Sequence, residues 1–191
     1  MASVYFITHP DVLIDPAVPV PEWRLNARGV ARMRAMLVHD WIRGIAHVAS
    51  STERKAVDGA AILAAHLGLV PAMYAGLGEN DRSSTGYLAK AEFEAMADAF
   101  FANPEASVSG WERAVDAQAR IVAAMRDVLC AAPTGDVAVV SHGGVGALLL
   151  CHLLGSPISR AADQPPGGGG YVLAFDRAAW TLRHGWRPID G

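Results

Sequence analysis

Short apolar runs alternate along this chain with apolar stripes at helical spacing. Three of the runs lie at residues 4–7, 45–49 and 136–141, and a fourth lies at 70–74. Uninterrupted apolar runs of this length are typical of strands that a protein buries on both faces, as in a parallel sheet whose connections are helices. The alternation therefore predicts an α/β fold, a three-layer α/β/α sandwich built on a mostly parallel sheet.

The helical stripes lie between these runs, and several carry terminal signals. Asn26 is the expected N-cap of the first helix, and Gly68 is the expected end of the second. The Asn-Pro pair at 103–104 should end the third helix, and Ser109 with Glu112 fits a capping box that opens the fourth. The stripes themselves are Val30, Met33 and Leu37; Ala56, Ala60, Leu63 and Leu67; Phe93, Met96 and Phe100; and Trp111, Val115, Val122, Met125 and Leu129.

The tail of the chain departs from this alternation. Segments 171–175 and 180–186 flank Asp176-Arg177 and predict a hairpin, which would give the sheet an antiparallel edge. Before it, the four glycines at 167–170 predict a flexible connector, because they lack the strand-to-helix context of a dinucleotide-binding loop. With 191 residues the chain fits a single domain, predicted over 1–191, and the hairpin offers an edge through which a homodimer could pair.

Composition excludes several classes of protein. Apolar residues make up 52% of the chain and charged residues 18%, which excludes a disordered protein. The 16 Lys and Arg against 19 Asp and Glu give a net charge of −3, so no nucleic-acid partner is expected. The 2 cysteines are too few for a disulfide framework or a zinc site. The apolar stretch 145–154 is far shorter than the roughly 20 residues that span a bilayer, and no signal peptide is visible, so a cytoplasmic protein is expected.

Two histidines directly follow predicted strands. His9 comes after the first apolar run, and His142 comes after the run that ends at residue 141, where a helix extending through Leu149 is expected to begin. Ligands of open α/β sheets bind outside the carboxyl ends of the strands, so both rings and the basic residues at 54–55 should share one crevice. One imidazole nitrogen can attack or hold a phosphoryl group while a backbone carbonyl fixes the other nitrogen.

The chain resembles the phosphoglycerate mutase-like branch of the histidine phosphatase superfamily over most of its length. The resemblance rests on Thr8-His9-Pro10, Leu25-Asn26-Ala27-Arg28-Gly29, Ser50-Ser51-Thr52-Glu53-Arg54-Lys55-Ala56, Leu77-Gly78-Glu79 and Val139-Val140-Ser141-His142-Gly143-Gly144. It implies a phosphoglycerate mutase-like fold and a phosphohistidine intermediate that forms without a metal or another cofactor. It also implies that His9 is the nucleophile, His142 the second histidine of the phosphate pocket, and Glu79 the proton donor to the leaving alcohol.

The sequence departs from the family at its phosphate-binding positions. Where the family has Arg-His-Gly, this chain has Thr8-His9-Pro10. The single hydroxyl of Thr8 replaces a guanidinium group, which would donate two hydrogen bonds to a phosphate, and Pro10 has no N–H to donate. The second family arginine aligns with Lys55, and Arg54 lies one residue earlier, so both are candidates. Arg82 and Arg24 are candidates for the missing first cation. The predicted phosphate-binding set is therefore Lys55, Arg54, Thr8, Gly143 and Arg82.

Three functions are open from the sequence. The first is a phosphomonoester hydrolase that acts on a small phosphorylated metabolite through a phosphohistidine. The second is a catalytically weakened relative that binds inorganic phosphate or another anion as a sensor or partner module. Weak catalysis is expected because the loss of one preorganised donor typically lowers the rate about 10²- to 10³-fold. A phosphoglycerate mutase-type transfer ranks lower, since a pocket without its first arginine should hold a bisphosphate poorly.

Overall fold

The computed structural model describes residues 2–191, and strands and helices alternate along most of that length. The strands in this part of the chain are β1 (Ser3–Thr8), β2 (Ile45–Ser50), β3 (Ala72–Met73), β4 (Asp136–Ser141), β5 (Tyr171–Asp176) and β6 (Leu182–Pro188). The helices are α1 (Ala27–Met36), α2 (Arg54–Leu67), α3 (Lys90–Ala102), α4 (Ala114–Ala131) and α5 (Gly143–Leu154). None of the helices within residues 2–191 has the length and apolar character needed to cross a membrane.

One sheet contains these strands in the order β3-β2-β4-β1-β5-β6. The strands β1 to β4 run parallel to one another, whereas β5 and β6 are antiparallel and form the hairpin predicted for the tail. Thr8 of β1 is level with Ser141 of β4, and Ser50 of β2 is level with Val140 of β4. The residues that follow these three strands therefore meet at the same edge of the sheet.

Both faces of the sheet are covered by helices. Val4, Phe6 and Val139 pack with α4 and α5 on one face, whereas Ile7 and Val140 pack with α1 and α2 on the other. All five side chains are fully buried. A strand covered on both sides needs no polar alternation, which explains the uninterrupted apolar runs in the sequence. The predicted three-layer α/β/α sandwich with an antiparallel edge is confirmed.

Two of the predicted helix boundaries are confirmed by their capping geometry. The side chain of Asn26 accepts a hydrogen bond from the N–H of Gly29 at 2.9 Å and so caps α1. Gly68 ends α2 in the left-handed conformation, with φ of 68°, which glycine adopts without steric cost. The third strand and the last helix differ in length from the prediction: β3 covers two residues, and α5 continues to Leu154.

The predicted capping box at Ser109 and Glu112 is wrong. The helix α4 begins at Ala114, and Ser109 lies before it in a turn with φ of 49°. The Glu112 carboxylate instead accepts hydrogen bonds from the guanidinium of Arg120 at 2.9 and 2.8 Å. This paired, charge-assisted contact is stronger than a cap between neutral groups.

The glycines at 167–170 do not form the free connector that the sequence predicts, because they pack against the backbone of His9. All four have positive φ angles. A Cβ atom at Gly169 would overlap the carbonyl oxygen of His9, and the N–H of Gly170 donates to that same oxygen at 3.3 Å. Glycine is required here by the close approach of two backbone segments as well as by the backbone conformation.

Arg32 of α1 binds the backbone of this glycine segment. Its guanidinium donates to the carbonyl oxygens of Gly169 and Gly170 at 2.9 and 3.1 Å. It also pairs with Asp11 at 3.1 Å and with Asp190 at 2.8 Å. The hydrogen bonds to both carboxylates raise the pKa of Arg32 further above its already high value, so the clamp is charged at every physiological pH.

Candidate active site

His9 and His142 meet at the carboxyl ends of β1 and β4. Their ring centroids are 5.1 Å apart, and the ring planes are inclined by 71°. The two strands fix this arrangement, because the His9 N–H donates to the carbonyl oxygen of Ser141, the residue before His142, at 3.0 Å. The structure thus brings together the two rings that the strand order placed at one edge.

The ring of His9 is oriented by a single backbone contact. Its Nδ1 donates to the carbonyl oxygen of Pro10 at 3.0 Å. A carbonyl oxygen only accepts, so Nδ1 carries the proton and the lone pair lies on Nε2. Burial, followed by the nearby His142 and Lys55, lowers the pKa of His9 to about 3. The ring is therefore neutral at neutral pH, with Nε2 in the nucleophilic form.

His142 is fully buried directly behind His9. Its Nε2 shares a hydrogen bond with Oγ of Ser51 at 2.7 Å and lies 3.3 Å from Oε1 of Glu53. Its Nδ1 has no hydrogen-bond partner within residues 2–191. Burial lowers the pKa of His142 to about 3, against the opposing effect of Glu53. A neutral ring with one uncommitted nitrogen results.

The side chain of Glu53 lies among the groups predicted to bind phosphate. Its Oε2 pairs with Nζ of Lys55 at 2.5 Å, and its Oε1 accepts the N–H of Glu79 at 2.8 Å. Burial acts to raise the pKa of Glu53, but His142 and Lys55 outweigh it and lower the pKa to about 2. The carboxylate is ionised and neutralises Lys55, whose side chain is only 3% exposed.

Of the two candidates for the second cation, Lys55 lies at the site and Arg54 does not. Arg54 pairs with Asp58 one helical turn further along α2, with Nε 3.0 Å from the carboxylate, and its side chain is 41% exposed. Lys55 instead points inward, where its Nζ also donates to the carbonyl oxygen of Val20 at 2.9 Å. Arg24 is exposed and lines neither cavity next to this site.

The hydroxyl of Thr8 is committed to neighbouring residues rather than to the cavity. It donates to Oε1 of Gln164 at 2.6 Å and accepts the N–H of Tyr171 at 3.0 Å. The side chain of Gln164 then lies against Gly143, where a Cβ atom would overlap its Nε2. Thr8 therefore acts in the structure as a brace for the Gln164 segment, in contrast to the phosphate contact that the sequence predicts.

Glu79 binds the amino-terminal end of α5, next to the two histidines. Its carboxylate accepts the N–H groups of Gly144 and Val145 at 3.1 and 2.9 Å. Such contacts satisfy amides that the helix itself leaves unpaired and favour a negative charge at this end. Arg120 of α4 fixes the loop by donating to the carbonyl oxygens of Gly76, Gly78 and Glu79 at 2.8 to 3.1 Å.

A cavity of about 490 Å³ opens beside His9. Part of its wall is polar and contains Glu79, Gly143 and Asp163, and the rings of Phe93, Phe100, Phe101 and Trp111 form a second, aromatic wall. The guanidinium of Arg82 stacks on this second wall, 4.9 Å from the centroid of Phe93 and 6.0 Å from that of Trp111. Within residues 2–191 it forms no ion pair, so its charge is available to a bound anion.

A second cavity, of about 630 Å³, adjoins the first and shares Glu79 and Arg82 with it. Its walls are the proline-rich segment 16–21 and the side chain of Glu53. The carboxylate of Glu53 thus separates the buried pair of His142 and Lys55 from open space. No cluster of three or more His, Cys, Asp or Glu side chains within residues 2–191 is arranged to hold a metal ion.

Sequence reasoning overlooked three polar residues of this site: Glu53, Asp163 and Gln164. Glu53 had a usable signal, since an acidic residue stands two positions before the aligned cation Lys55. Asp163 and Gln164 had none, because they follow no strand and reach the site only through the path of the chain after α5.

Comparisons with known proteins identify the family and the fold. The model of the histidine phosphatase superfamily (branch 1) matches residues 19–185. The fold is similar to that of a mycobacterial glucosyl-3-phosphoglycerate phosphatase solved with inorganic phosphate, with a TM-score of 0.77, 21% identity and 100% of both chains covered.

Two further structures share the fold. The Bacillus stearothermophilus protein YhfR has a TM-score of 0.76 at 20% identity, covering 96% of this chain and 95% of its own. Mycobacterial hydrolase 1 has a TM-score of 0.73 at 23% identity, covering 97% and 95%. A search of curated protein sequences finds no match.

Proposed function

We propose, from the premise that the chain belongs to branch 1 of the histidine phosphatase superfamily, that it hydrolyses phosphomonoesters of small metabolites. The observation that carries the proposal is the neutral ring of His9, anchored through Nδ1 and set against His142 beside a cavity. One structure of the same fold is a phosphatase of glucosyl-3-phosphoglycerate, a metabolite of this class. A neutral imidazole is nucleophilic without activation by a metal ion.

The proposed reaction has two displacement steps at phosphorus. In the first, Nε2 of His9 forms a bond to phosphorus while the bond from phosphorus to the leaving oxygen breaks, and the leaving oxygen takes up a proton. In the second, water attacks the phosphohistidine, which releases inorganic phosphate and restores His9. Family resemblance gives the proton transfer to Glu79, which lines the same cavity.

Positive charge and N–H donors must hold the oxygens of the transferred group. Arg82 is the cation that lines the cavity without an ion pair. Gly143 is the first residue of α5, and its N–H is not among those that Glu79 occupies. The uncommitted Nδ1 of His142 is a further member of the proposed set, and the ammonium of Lys55 joins it once the carboxylate of Glu53 moves aside.

The second candidate function, a weakened anion-binding module, is favoured by one observation in particular. The carboxylate of Glu53 contacts both Lys55 and His142, so an incoming phosphate must displace it. The hydroxyl of Thr8 adds no donor, because it is already bonded to Gln164. Mutase-type transfer ranks below both, since a bisphosphate would need more positive charge than Arg82 alone provides in the cavity.

Hydrolysis of an aryl phosphate by the purified protein, measured between about pH 5 and 8 with and without a chelator, tests the proposal. We expect turnover in both conditions and an acid-labile phosphoenzyme on rapid quenching. His9→Ala should abolish both signals, whereas His66→Ala, at an exposed histidine, should not change them. Phosphate binding without turnover would instead support the anion-binding module, and turnover by His9→Ala would remove His9 from the mechanism.

A further inference from the structure

The side-chain amide of Gln164 joins the end of β1 to the start of α5 at the cavity beside His9. Its Oε1 bonds to the hydroxyl of Thr8, the residue directly before His9, at 2.6 Å. Its Nε2 lies against Gly143, the first residue of α5. Because Gln164, His9 and Gly143 all line this cavity, the amide borders the space that a phosphoryl group on His9 would occupy.

The hydroxyl of Thr8 decides which way this amide faces. Its oxygen accepts the N–H of Tyr171 at 3.0 Å, so its own proton must point elsewhere. The nearer of its two acceptors is Oε1 of Gln164 at 2.6 Å, since the carbonyl oxygen of Tyr171, at 3.4 Å, is too far for a strong hydrogen bond. An O–H group donates to the oxygen of an amide, so the NH₂ group of Gln164 is turned away from Thr8.

The NH₂ group of Gln164 is free to bind a ligand. The residue uses its backbone N–H and its Oε1 in hydrogen bonds of 2.8 and 2.6 Å, whereas Nε2 forms none within residues 2–191. A Cβ atom on Gly143 would overlap this nitrogen and lie 3.1 Å from Cδ of Gln164, so the glycine leaves room for the amide in this position. Two N–H bonds are therefore available beside the start of α5.

The backbone around Gln164 is fixed before a ligand arrives. Its N–H donates to Oδ1 of Asp163 at 2.8 Å, and Trp186 donates through Nε1 to the carbonyl oxygen of Ala162 at 2.9 Å. Two prolines follow Gln164 directly, and proline restricts both its own φ angle and the conformation of the residue before it. A donor that is already in place can stabilise a developing negative charge without first being ordered.

We propose, on the premise of the phosphatase function proposed above, that the NH₂ group of Gln164 binds the transferred phosphoryl group and that Thr8 positions it. Thr8 stands where the family has an arginine, and the amide supplies two N–H donors in place of the guanidinium, without its charge. As the bond from His9 to phosphorus forms and the bond to the leaving oxygen breaks, the amide donates a hydrogen bond to an oxygen that stays on phosphorus. The amide itself neither gains nor loses a proton, and the same hydrogen bond holds the phosphohistidine while water attacks it.

Removing the amide tests the role of Gln164. Gln164→Met keeps the length of the side chain but has no N–H group, so kcat/KM for an aryl phosphate should fall about 10²-fold and Kd for inorganic phosphate should rise about tenfold. Gln164→Glu should weaken phosphate binding further, because it places a negative charge against the anion. Gln118→Met is the matched control and should change neither value, since the Gln118 amide donates to the carbonyl oxygen of Leu148 at 2.9 Å and does not line the cavity.

A double-mutant cycle between Thr8 and Gln164 tests the positioning role. Thr8→Val removes the hydroxyl that orients the amide, so kcat/KM should fall by a factor close to that of Gln164→Met. The double variant should lose little more than either single variant, because both changes remove the same hydrogen bond to the phosphoryl group. Thr8→Ser keeps the hydroxyl and should retain most of the wild-type rate. Urea denaturation of each variant ensures that folded protein is compared.

Wild-type values of kcat/KM and Kd in Gln164→Met would overturn the assignment of Gln164 while leaving His9-dependent hydrolysis intact. Losses that multiply in the double variant would overturn the positioning role of Thr8. If the wild type binds phosphate without turnover, the proposed hydrolysis is overturned, and a higher Kd for Gln164→Met than for Gln118→Met would still support the contact between Gln164 and the anion. The failure of the proposed function and the failure of this inference are thus distinguishable.

Discussion

The ring of His142 stands edge to face with that of His9, 5.1 Å between centroids, and both rings are kept neutral by burial. Two imidazolium ions at this separation would repel each other, and one of them is sealed from water. Neutrality therefore serves the fold as well as the proposed chemistry, because the lone pair with which His9 would attack phosphorus exists only in the neutral ring.

This neutrality predicts a loss of stability in mild acid. The pKa of His142 is about 3 in the folded chain and 6.5 in the unfolded chain, so between these values the unfolded state binds the extra proton. The free energy of unfolding should therefore fall as the pH is lowered from about 6.5 toward 3, by up to about 1.4 kcal/mol per pH unit for this group. Urea denaturation at several pH values measures it, and His142→Gln should show a shallower slope than the wild type.

Removing the guanidinium of Arg82 should weaken the binding of the substrate anion. The charge lies on the aromatic wall and has no ion pair within the part of the chain that the structure describes. We expect Arg82→Ala to raise KM for an aryl phosphate by about 10- to 100-fold, because a hydrogen bond to a charged group contributes about 1.5–3 kcal/mol to binding. Arg126→Ala is the matched control, since Arg126 stacks on Trp180 at 5.8 Å, away from the cavity. Equal KM values for the two variants would exclude Arg82 as an anion ligand.

Neutralising Glu53 should strengthen the binding of inorganic phosphate. The ionised carboxylate occupies Lys55 and faces His142, and a glutamine keeps its shape and its bond to the Glu79 N–H without the charge. A like charge at about 4 Å costs about 4 kcal/mol at an intermediate dielectric, so the affinity should rise about tenfold or more. Calorimetric titration with phosphate measures this, with exposed Glu22→Gln as the control. A weaker affinity would show that the Glu53 charge supports the anion site rather than opposing it.

Replacing Thr8 by valine should destabilise the protein, although the shape of the side chain is preserved. The hydroxyl is 1% exposed and bonds both Gln164 and the N–H of Tyr171, so valine leaves two partly buried polar groups unpaired. We expect a loss of about 1–3 kcal/mol in the free energy of unfolding. The same change at exposed Thr134 should stay within about 0.5 kcal/mol. If both variants unfold at the same urea concentration, the Thr8 hydroxyl is not a structural brace.

The sheet was predictable because its signals are local. Strands buried on both faces leave apolar runs in the sequence, and the residues directly after β1 and β4 are His9 and His142, whose meeting follows from parallel pairing alone. The strand β3 escaped an accurate prediction because its two residues are only half-buried or exposed and pair at the edge of the sheet. Local hydrophobic periodicity cannot reveal a strand of only two residues.

The polar half of the site was not predictable because its contacts are not local. The bond between Thr8 and Gln164 joins residues 156 positions apart and depends on the whole fold being in place. Glu53 has one local partner, Lys55, but its contacts with His142 and with the N–H of Glu79 again depend on the tertiary fold. The sequence left both Lys55 and Arg54 as candidates for the second cation, and only their partners in the structure distinguish them.

The contact between Arg32 and the glycine segment has a consequence for the cavity. Gly168 and Gly169 form part of its wall, yet they carry no side chains that could resist a ligand. This glycine segment is held in place by the guanidinium of Arg32, which is itself paired with Asp11 and Asp190. The wall of the cavity next to His9 is thus supported by an arginine that does not itself line the cavity.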